Sequence, residues 1–421
     1  MFPGGSGKTL SAREYDLIIV GGGLVGGGLA CALRGAGLRV AVIEATSPGA
    51  ATHPSYDERV IALSWTSRRI LEGIGLWPRL GTDAEPIRTV QVSQRGGCGE
   101  VWIDRRAEAV DALGHVVPAR VIGAAIHDRL ANATDIVVHA PARVVDVRVT
   151  PQWAELEVDQ SGLIERLRAR LIVAADGGDS SVRQRLGIAV RERPYGQDAV
   201  IATVTPDRPQ VGAAFERFTE SGPLALLPMT DGRWSLVWSV PQEQTAGVLA
   251  LSDQDFLARL QTGFGYRLGR FVRASSRRAF PLVQRLAGEA STPRVALIGN
   301  AAHTLHPVAG QGLNLGLRDV AALAEVLVAA HRAGGDLGRA AVLGAYRSWR
   351  RRDQTEVAAT TDFLARAFIG GWAPLRQVRD LGLLGIEFVP VLRHQLARRL
   401  MGRAGRQTRL ARGLPLEVQD G

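Results

Sequence analysis

The feature that most narrows the fold is a glycine-rich turn between two apolar runs near the start of the chain. Residues 15–20, YDLIIV, are apolar enough for a strand buried on both faces. Gly21, Gly23 and Gly26 follow in a G-x-G-x-x-G pattern. A helical stretch then covers 27–36, and a second apolar run, 38–43, ends at Glu44. Strand, turn, helix and strand in this order predict a βαβ unit of a parallel sheet. Gly21 permits the tight turn, Gly23 lets a pyrophosphate approach the main chain, and Gly26 lets helix and strand pack closely. Glu44 stands where a carboxylate accepts hydrogen bonds from an adenosine ribose.

A second strand–loop–helix unit lies far downstream. The apolar run 295–298 stops at Gly299 and Asn300, a Pro- and Gly-rich loop covers 307–316, and helical spacing covers 317–330. Glycines let the backbone approach a ligand, and the first turn of a helix offers unpaired N–H groups. Two such loops so far apart predict one large cofactor held at both ends. Between them, an apolar strand delivers Asp176 and two glycines into a loop, ADGGDSSVR. Taken alone, that is a strand end with an Asx-type turn.

In order and spacing, these three motifs resemble the FAD-dependent aromatic hydroxylases of the para-hydroxybenzoate hydroxylase group. Residues 53–63 (HPSYDERVIAL), 214–218 (AFERF), 222–229 (GPLALLPM) and the loop at 299–319 are similar to the ubiquinone-pathway hydroxylases, closest to the 2-polyprenyl-6-methoxyphenol hydroxylases. The resemblance runs from about residue 16 to about residue 402.

The resemblance implies an α/β fold: a Rossmann-like FAD-binding domain with an inserted antiparallel-sheet substrate domain and a C-terminal helical region. Residues 14–90, 107–190 and 281–345 are assigned to the FAD domain. Residues 91–106 and 191–280 form the substrate domain, and 346–403 the helical region. Residues 1–13 and 404–421 are expected to be disordered tails. Short strands near 200–204, 212–218, 223–228 and 234–239 support the inserted sheet.

Composition removes several alternatives. No apolar run is long enough for a membrane-spanning helix, and the first residues lack a signal-peptide core. Gly4–Thr9, GGSGKT, has no preceding strand and the wrong spacing for a phosphate-binding loop. Cys31 and Cys98 make neither a disulfide framework nor a metal pattern, so the chain reads as cytoplasmic, with no metal. The net charge of +10 is almost all arginine; Lys8 is the only lysine. A solvated basic surface or attraction to anionic lipid would account for it, and no nucleic-acid module is visible. Residues 375–400 mix leucines with arginines, which fits either a docking helix or a basic amphipathic helix at the inner face of a bacterial cytoplasmic membrane.

The chemistry implied is insertion of an oxygen atom into a phenol ring, through a flavin C4a-hydroperoxide formed from dioxygen, with NAD(P)H as the expected electron donor. By resemblance, Pro307, Gly310, Gln311, Gly312, Leu313 and Asn314 border the flavin, and Asn300 replaces the Asp usual in the wider family. Asp176 is expected at the ribityl end, with Arg59 and Arg120 near the pyrophosphate or flavin. No catalytic base is named; His306 is a weak candidate, and His303 is expected to serve structure. Phe215, Leu226 and Pro228 are expected to line the substrate pocket. The partners expected are a prenylated phenol, dioxygen and other ubiquinone-biosynthesis proteins. Alternatives are hydroxylation at another ring position, a non-prenylated aromatic substrate, or a non-catalytic flavoprotein scaffold.

Overall fold

The computed structural model describes residues 13–47, 59–367 and 373–416. The Gly4–Thr9 motif and residues 53–58 of the family-like segment lie outside the described residues.

A parallel sheet organises the nucleotide-binding half. The strand Arg13–Val20 lies between Leu163–Ala174 and Val40–Ile43; Val295–Leu297 and Ile136–His139 extend the sheet on either side. Both faces are buried. Leu17 and Ile19 pack on one side with Leu29, Leu33, Leu317 and Leu323, while Ile18 and Ile172 pack on the other with Leu156 and Val158. Burying each such side chain contributes about 1.5–3 kcal/mol.

The helix Gly26–Leu33 contains three consecutive glycines. Each costs about 1 kcal/mol of helix propensity relative to alanine. Packing explains two of them: a Cβ on Gly26 would run into the Gly21 carbonyl oxygen, and one on Gly27 would lie 2.5 Å from Ile126. The helix can pack this close to the glycine turn and to the helix Ala119–Ala131 only without those side chains.

The inserted sheet runs through Arg278–Ala287, Val190–Pro206, Trp234–Pro241, Gly222–Pro228, Ala213–Thr219, Thr89–Gln94 and Glu100–Asp104. It departs from the purely antiparallel expectation at one pair, because Ala213–Thr219 lies parallel to Thr89–Gln94. That pair joins segments remote in sequence, so no hairpin dictates its direction. Side chains alternate between the faces. Phe215, Leu226, Trp234 and Leu236 pack against Phe256, Leu260 and Phe264, whereas Ala214, Glu216, Ala225 and Leu227 line a cavity on the opposite side.

The helix Ala373–Phe388 covers the edge strand Glu100–Asp104. Asp380 accepts from Cys98 N–H and Gly99 N–H at 2.9 and 2.7 Å, and Glu387 accepts from Trp102 N–H at 2.9 Å. Carboxylates thus satisfy edge N–H groups that would otherwise be open to pairing with another chain.

Two expectations need correction. The helix after the downstream glycine loop spans Gln311–Arg332 and so starts earlier than residue 317; Gly312 and Asn314 belong to its first turn. Residues 404–416 are not a disordered tail. Leu410 and Ala411 are buried in the main core, and Arg409 N–H donates to Glu325 at 2.7 Å. This apolar pair is too short to announce itself by periodicity, but it fills the space beside Gly73.

Candidate functional site

The carboxyl ends of the central parallel strands converge on one edge, where open α/β sheets bind ligands. Gly21 has φ +99°, and a Cβ there would lie 2.5 Å from the Ala175 carbonyl oxygen, so the turn accepts only glycine. Glu44 Oε2 accepts from Gly22 N–H at 2.7 Å, and Oε1 accepts from Thr46 N–H at 2.9 Å. Its carboxylate therefore also braces the glycine turn.

Asp176 has two roles. Its Oδ2 accepts from Ser181 N–H and Val182 N–H at 2.7 and 3.2 Å, which caps the short helix Ser181–Arg185. Its Oδ1 is buried without a hydrogen-bond partner among the described residues, on a residue that lines the cavity. Arg183 donates to the carbonyl oxygens of Gly178 and Ala301, tying this motif to the downstream loop.

That loop is held from behind. Asp319 is fully buried; Oδ2 meets His303 Nε2 at 2.6 Å, and Oδ1 accepts from Arg350 at 2.8 Å and Gln354 at 2.9 Å. Burial alone would raise its pKa, but attraction to His303 and Arg350 outweighs burial and holds the carboxyl well below the usual range. His303 is thus an anchor, as its loop position implies.

At the front of the loop, Ala309 and Gly310 are both left-handed, with φ +59° and +60°. For alanine this conformation costs about 1–3 kcal/mol and must be imposed by its surroundings. It turns the chain into the helix Gln311–Arg332, whose start carries no side-chain cap. Asn314 accepts from Ser64 N–H and donates to the Ala62 and Gly310 carbonyls. Both its donors are spent on backbone, so it holds the loop against the strand Val60–Ser64. Gln311 Oε1 is buried without a partner.

These elements surround a cavity of about 1720 Å³. That exceeds the roughly 300–1,000 Å³ of an ordinary small-molecule pocket. Gly21, Gly23, Glu44, Arg59, Asp176, Asn300, Pro307, Gly310, Gln311, Gly312, Leu313 and Asn314 line it. Phe215 borders it too, but its ring packs in the core on the far face of the sheet, against Trp234 and Phe264. Gly26 stands behind the wall, where it permits packing. Arg120 is exposed in the first turn of Ala119–Ala131 and is not among the lining residues.

Three candidates are misplaced. Leu226 and Pro228 fall outside the lining, and Leu226 packs in the core on the far face of the sheet; their neighbours Ala225 and Leu227 face the cavity instead. A one-residue choice of parity decides the face of a strand. His306 is buried outside the lining, with its ring edge-on to Tyr195 at 4.9 Å and Nδ1 accepting from Val308 N–H at 3.1 Å. Burial pushes its pKa down to about 4, so it is neutral at pH 7 and shapes the loop.

C-terminal segments add an apolar part of the cavity wall, through Leu383, Ile386, Leu396, Leu400 and Met401. Sequence reasoning missed these residues, which read as a docking face. It also passed over Glu216, an acid on the cavity side of the sheet.

The residues fit FAD. The glycine turn leaves room for a pyrophosphate, Glu44 brings a carboxylate to the same cavity wall, and the oxygens of Asp176 and Gln311 that lack partners among the described residues can meet polar groups. When bound, FAD supplies the activation of dioxygen. Residues 14–361 match the FAD binding domain family. The chain is 41% identical over 419 residues to ubiquinone hydroxylase UbiL of Rhodospirillum rubrum, covering 98% of this chain and 97% of that one.

The chain belongs to the ubiquinone-biosynthesis FAD hydroxylases.

It is also 33% identical over 395 residues to the 3-demethoxyubiquinol 3-hydroxylase of Escherichia coli, covering 93% of this chain and all of that one (100%). The fold is that of p-nitrophenol 4-monooxygenase PnpA from Pseudomonas putida, with a TM-score of 0.78 over 95% of this chain and 100% of that one, at 21% identity. Like other members, this hydroxylase is an FAD-dependent aromatic-ring monooxygenase. Among the described residues, no helix is long and apolar enough to cross a membrane.

Proposed function

We propose that this hydroxylase inserts one atom of dioxygen into the ring of a 2-polyprenyl-6-methoxyphenol, with NAD(P)H as electron donor. The observation that carries this reading is the continuity of the cavity from the flavin loop, at Pro307 and Gln311, to the apolar helices at Leu383 and Leu400. A polar ring fits the first region and a hydrocarbon tail the second. The chain's own contribution is to hold the ring against the loop, exclude water with the apolar sheet face, and manage the proton of the ring hydroxyl.

The tail also bears on where the protein works. Each buried CH₂ of a prenyl chain contributes about 0.8 kcal/mol to membrane residence, so extraction into water is costly. Phe363, Leu381 and Phe388 are 67%, 67% and 78% exposed on the C-terminal helices, and Arg398 and Arg399 are exposed on the helix Pro390–Leu400. This pattern supports docking at the inner face of a bacterial cytoplasmic membrane, alongside other proteins of the pathway.

A strain lacking the gene is expected to lose ubiquinone and accumulate the unhydroxylated methoxyphenol. In the complemented strain, heavy-isotope dioxygen should label the new hydroxyl. Normal ubiquinone in a strain with no second hydroxylase would refute the pathway role, and label from water would refute oxygen insertion. The name of the Escherichia coli relative favours a second reading, hydroxylation at another ring position. Accumulation of a demethoxy intermediate would select it.

A further inference from the structure

We propose that Glu216 is a catalytic residue: its carboxylate accepts the proton of the substrate's ring hydroxyl. The inference rests on the phenol-hydroxylase reading above.

Glu216 lies on the strand Ala213–Thr219, paired with Ala225 on one side and Val92 on the other. Its cavity-facing neighbours Ala214, Phe218, Ala225 and Leu227 are apolar. By surface area Glu216 is half-buried, and it lines the cavity; Oε1 itself is buried and has no hydrogen-bond partner among the described residues. Oε2 accepts only a long bond, from Ala309 N–H at 3.4 Å. Ala309 is the left-handed residue that begins the flavin loop's final turn. The carboxyl therefore stands at the junction of the flavin-holding loop and the substrate wall.

Among the described residues Glu216 makes no ion pair, and an acid buried in this way in an apolar wall is unfavourable for folding unless a ligand completes it. A ring hydroxyl supplies the missing donor. Burial also pushes the Glu216 carboxyl up to about 7, against a weak opposing pull from Ala309 N–H. A base acts best when its pKa is near the working pH. In the step, the phenol O–H bond breaks and its proton goes to Oε1. The bonding pair stays on the phenolic oxygen and delocalises into the ring. Nothing is oxidised, total charge is unchanged, and the ring carbon becomes more nucleophilic.

The test uses FAD-loaded wild type, E216Q and E216D. The probes are a 2-methoxyphenol with a short prenyl chain, its O-methyl ether, and a more acidic ring-fluorinated analogue. By equilibrium dialysis, wild type should bind the phenol about 10- to 100-fold more tightly than the ether, as a charged hydrogen bond implies. E216Q should bind the two alike, and E216D should retain part of the preference. In single turnovers, with flavin reduced photochemically and mixed with oxygenated probe, E216Q should be slowed about 10²- to 10⁴-fold on the ordinary phenol. It should recover on the fluorinated one, which ionises without help. Flavin content equal to wild type shows that the variants fold. Retained preference for the phenol in E216Q, or equal slowing on both phenols, overturns the role of Glu216 alone. A wild type that hydroxylates none of the phenols overturns the phenol-hydroxylase reading and this inference with it.

Discussion

Asn314 accepts a hydrogen bond from the backbone N–H of Ser64 at 2.8 Å across 250 residues of chain. The same amide donates to the carbonyls of Ala62 and Gly310 at 2.8 and 2.7 Å. One side chain thus joins the flavin loop to the strand Val60–Ser64, and both line the cavity. Asn314→Asp keeps the shape but turns two donors into acceptors facing carbonyl oxygens. Each buried group left unsatisfied costs about 1–3 kcal/mol. The variant should melt lower and lose flavin, read by thermal unfolding and by the flavin-to-protein absorbance ratio.

Gly26→Ala should cost both stability and FAD, because the new Cβ would occupy the place of the Gly21 carbonyl oxygen. Overpacking of this kind costs about 1–3 kcal/mol, and here the displaced atom belongs to the glycine turn that lines the cavity. Purified variant that is as yellow and as stable as wild type would refute the close-packing role.

Glu44→Ala should weaken FAD binding about 10- to 100-fold, the equivalent of losing a charged hydrogen bond worth about 1.5–3 kcal/mol. The carboxylate also receives the N–H groups of Gly22 and Thr46. Some loss of apoprotein stability should accompany the affinity loss. Fluorescence titration of the apoprotein with FAD measures the first and urea unfolding the second. Affinity within twofold of wild type would remove Glu44 from the ribose.

Acid should act through Asp319. Its folded pKa is held below the ordinary carboxylate value by His303 and Arg350, which overcome the raising effect of burial. The unfolded chain therefore binds a proton first as pH falls. The stabilisation is complete above about pH 4 and is lost as pH drops toward the folded pKa. Asp319→Asn should flatten stability against pH in that window. It should also lower stability at pH 7, because buried Arg350 loses one of its two carboxylate partners and keeps only Asp353.

Leu381→Glu and Phe388→Glu, combined, should reduce binding to vesicles containing anionic lipid, with flavin content unchanged. Both side chains are largely exposed, so neither substitution opens a core. Vesicle flotation measures the change, and undiminished binding would move the docking face elsewhere.

The sequence by itself determined the nucleotide-binding half. Gly21 and Glu44 are local requirements: a turn at φ +99° and a strand end carrying an acid are written in consecutive residues. The 3.6- and 2-residue periods expose helices and strands in the same way. The tertiary structure alone decided which face each inserted strand presents, since Ala225 and Leu226 differ by one residue yet lie on opposite sides. It also decided that His306 turns inward, that Leu410 reaches the core, and that distant helices close the cavity through Leu383 and Met401. In the sequence Glu216 stands between Phe215 and Arg217, where an acid on a strand is ordinarily a solvated one. Its meaning comes from burial beside Ala309, a contact across 93 residues that no local pattern records.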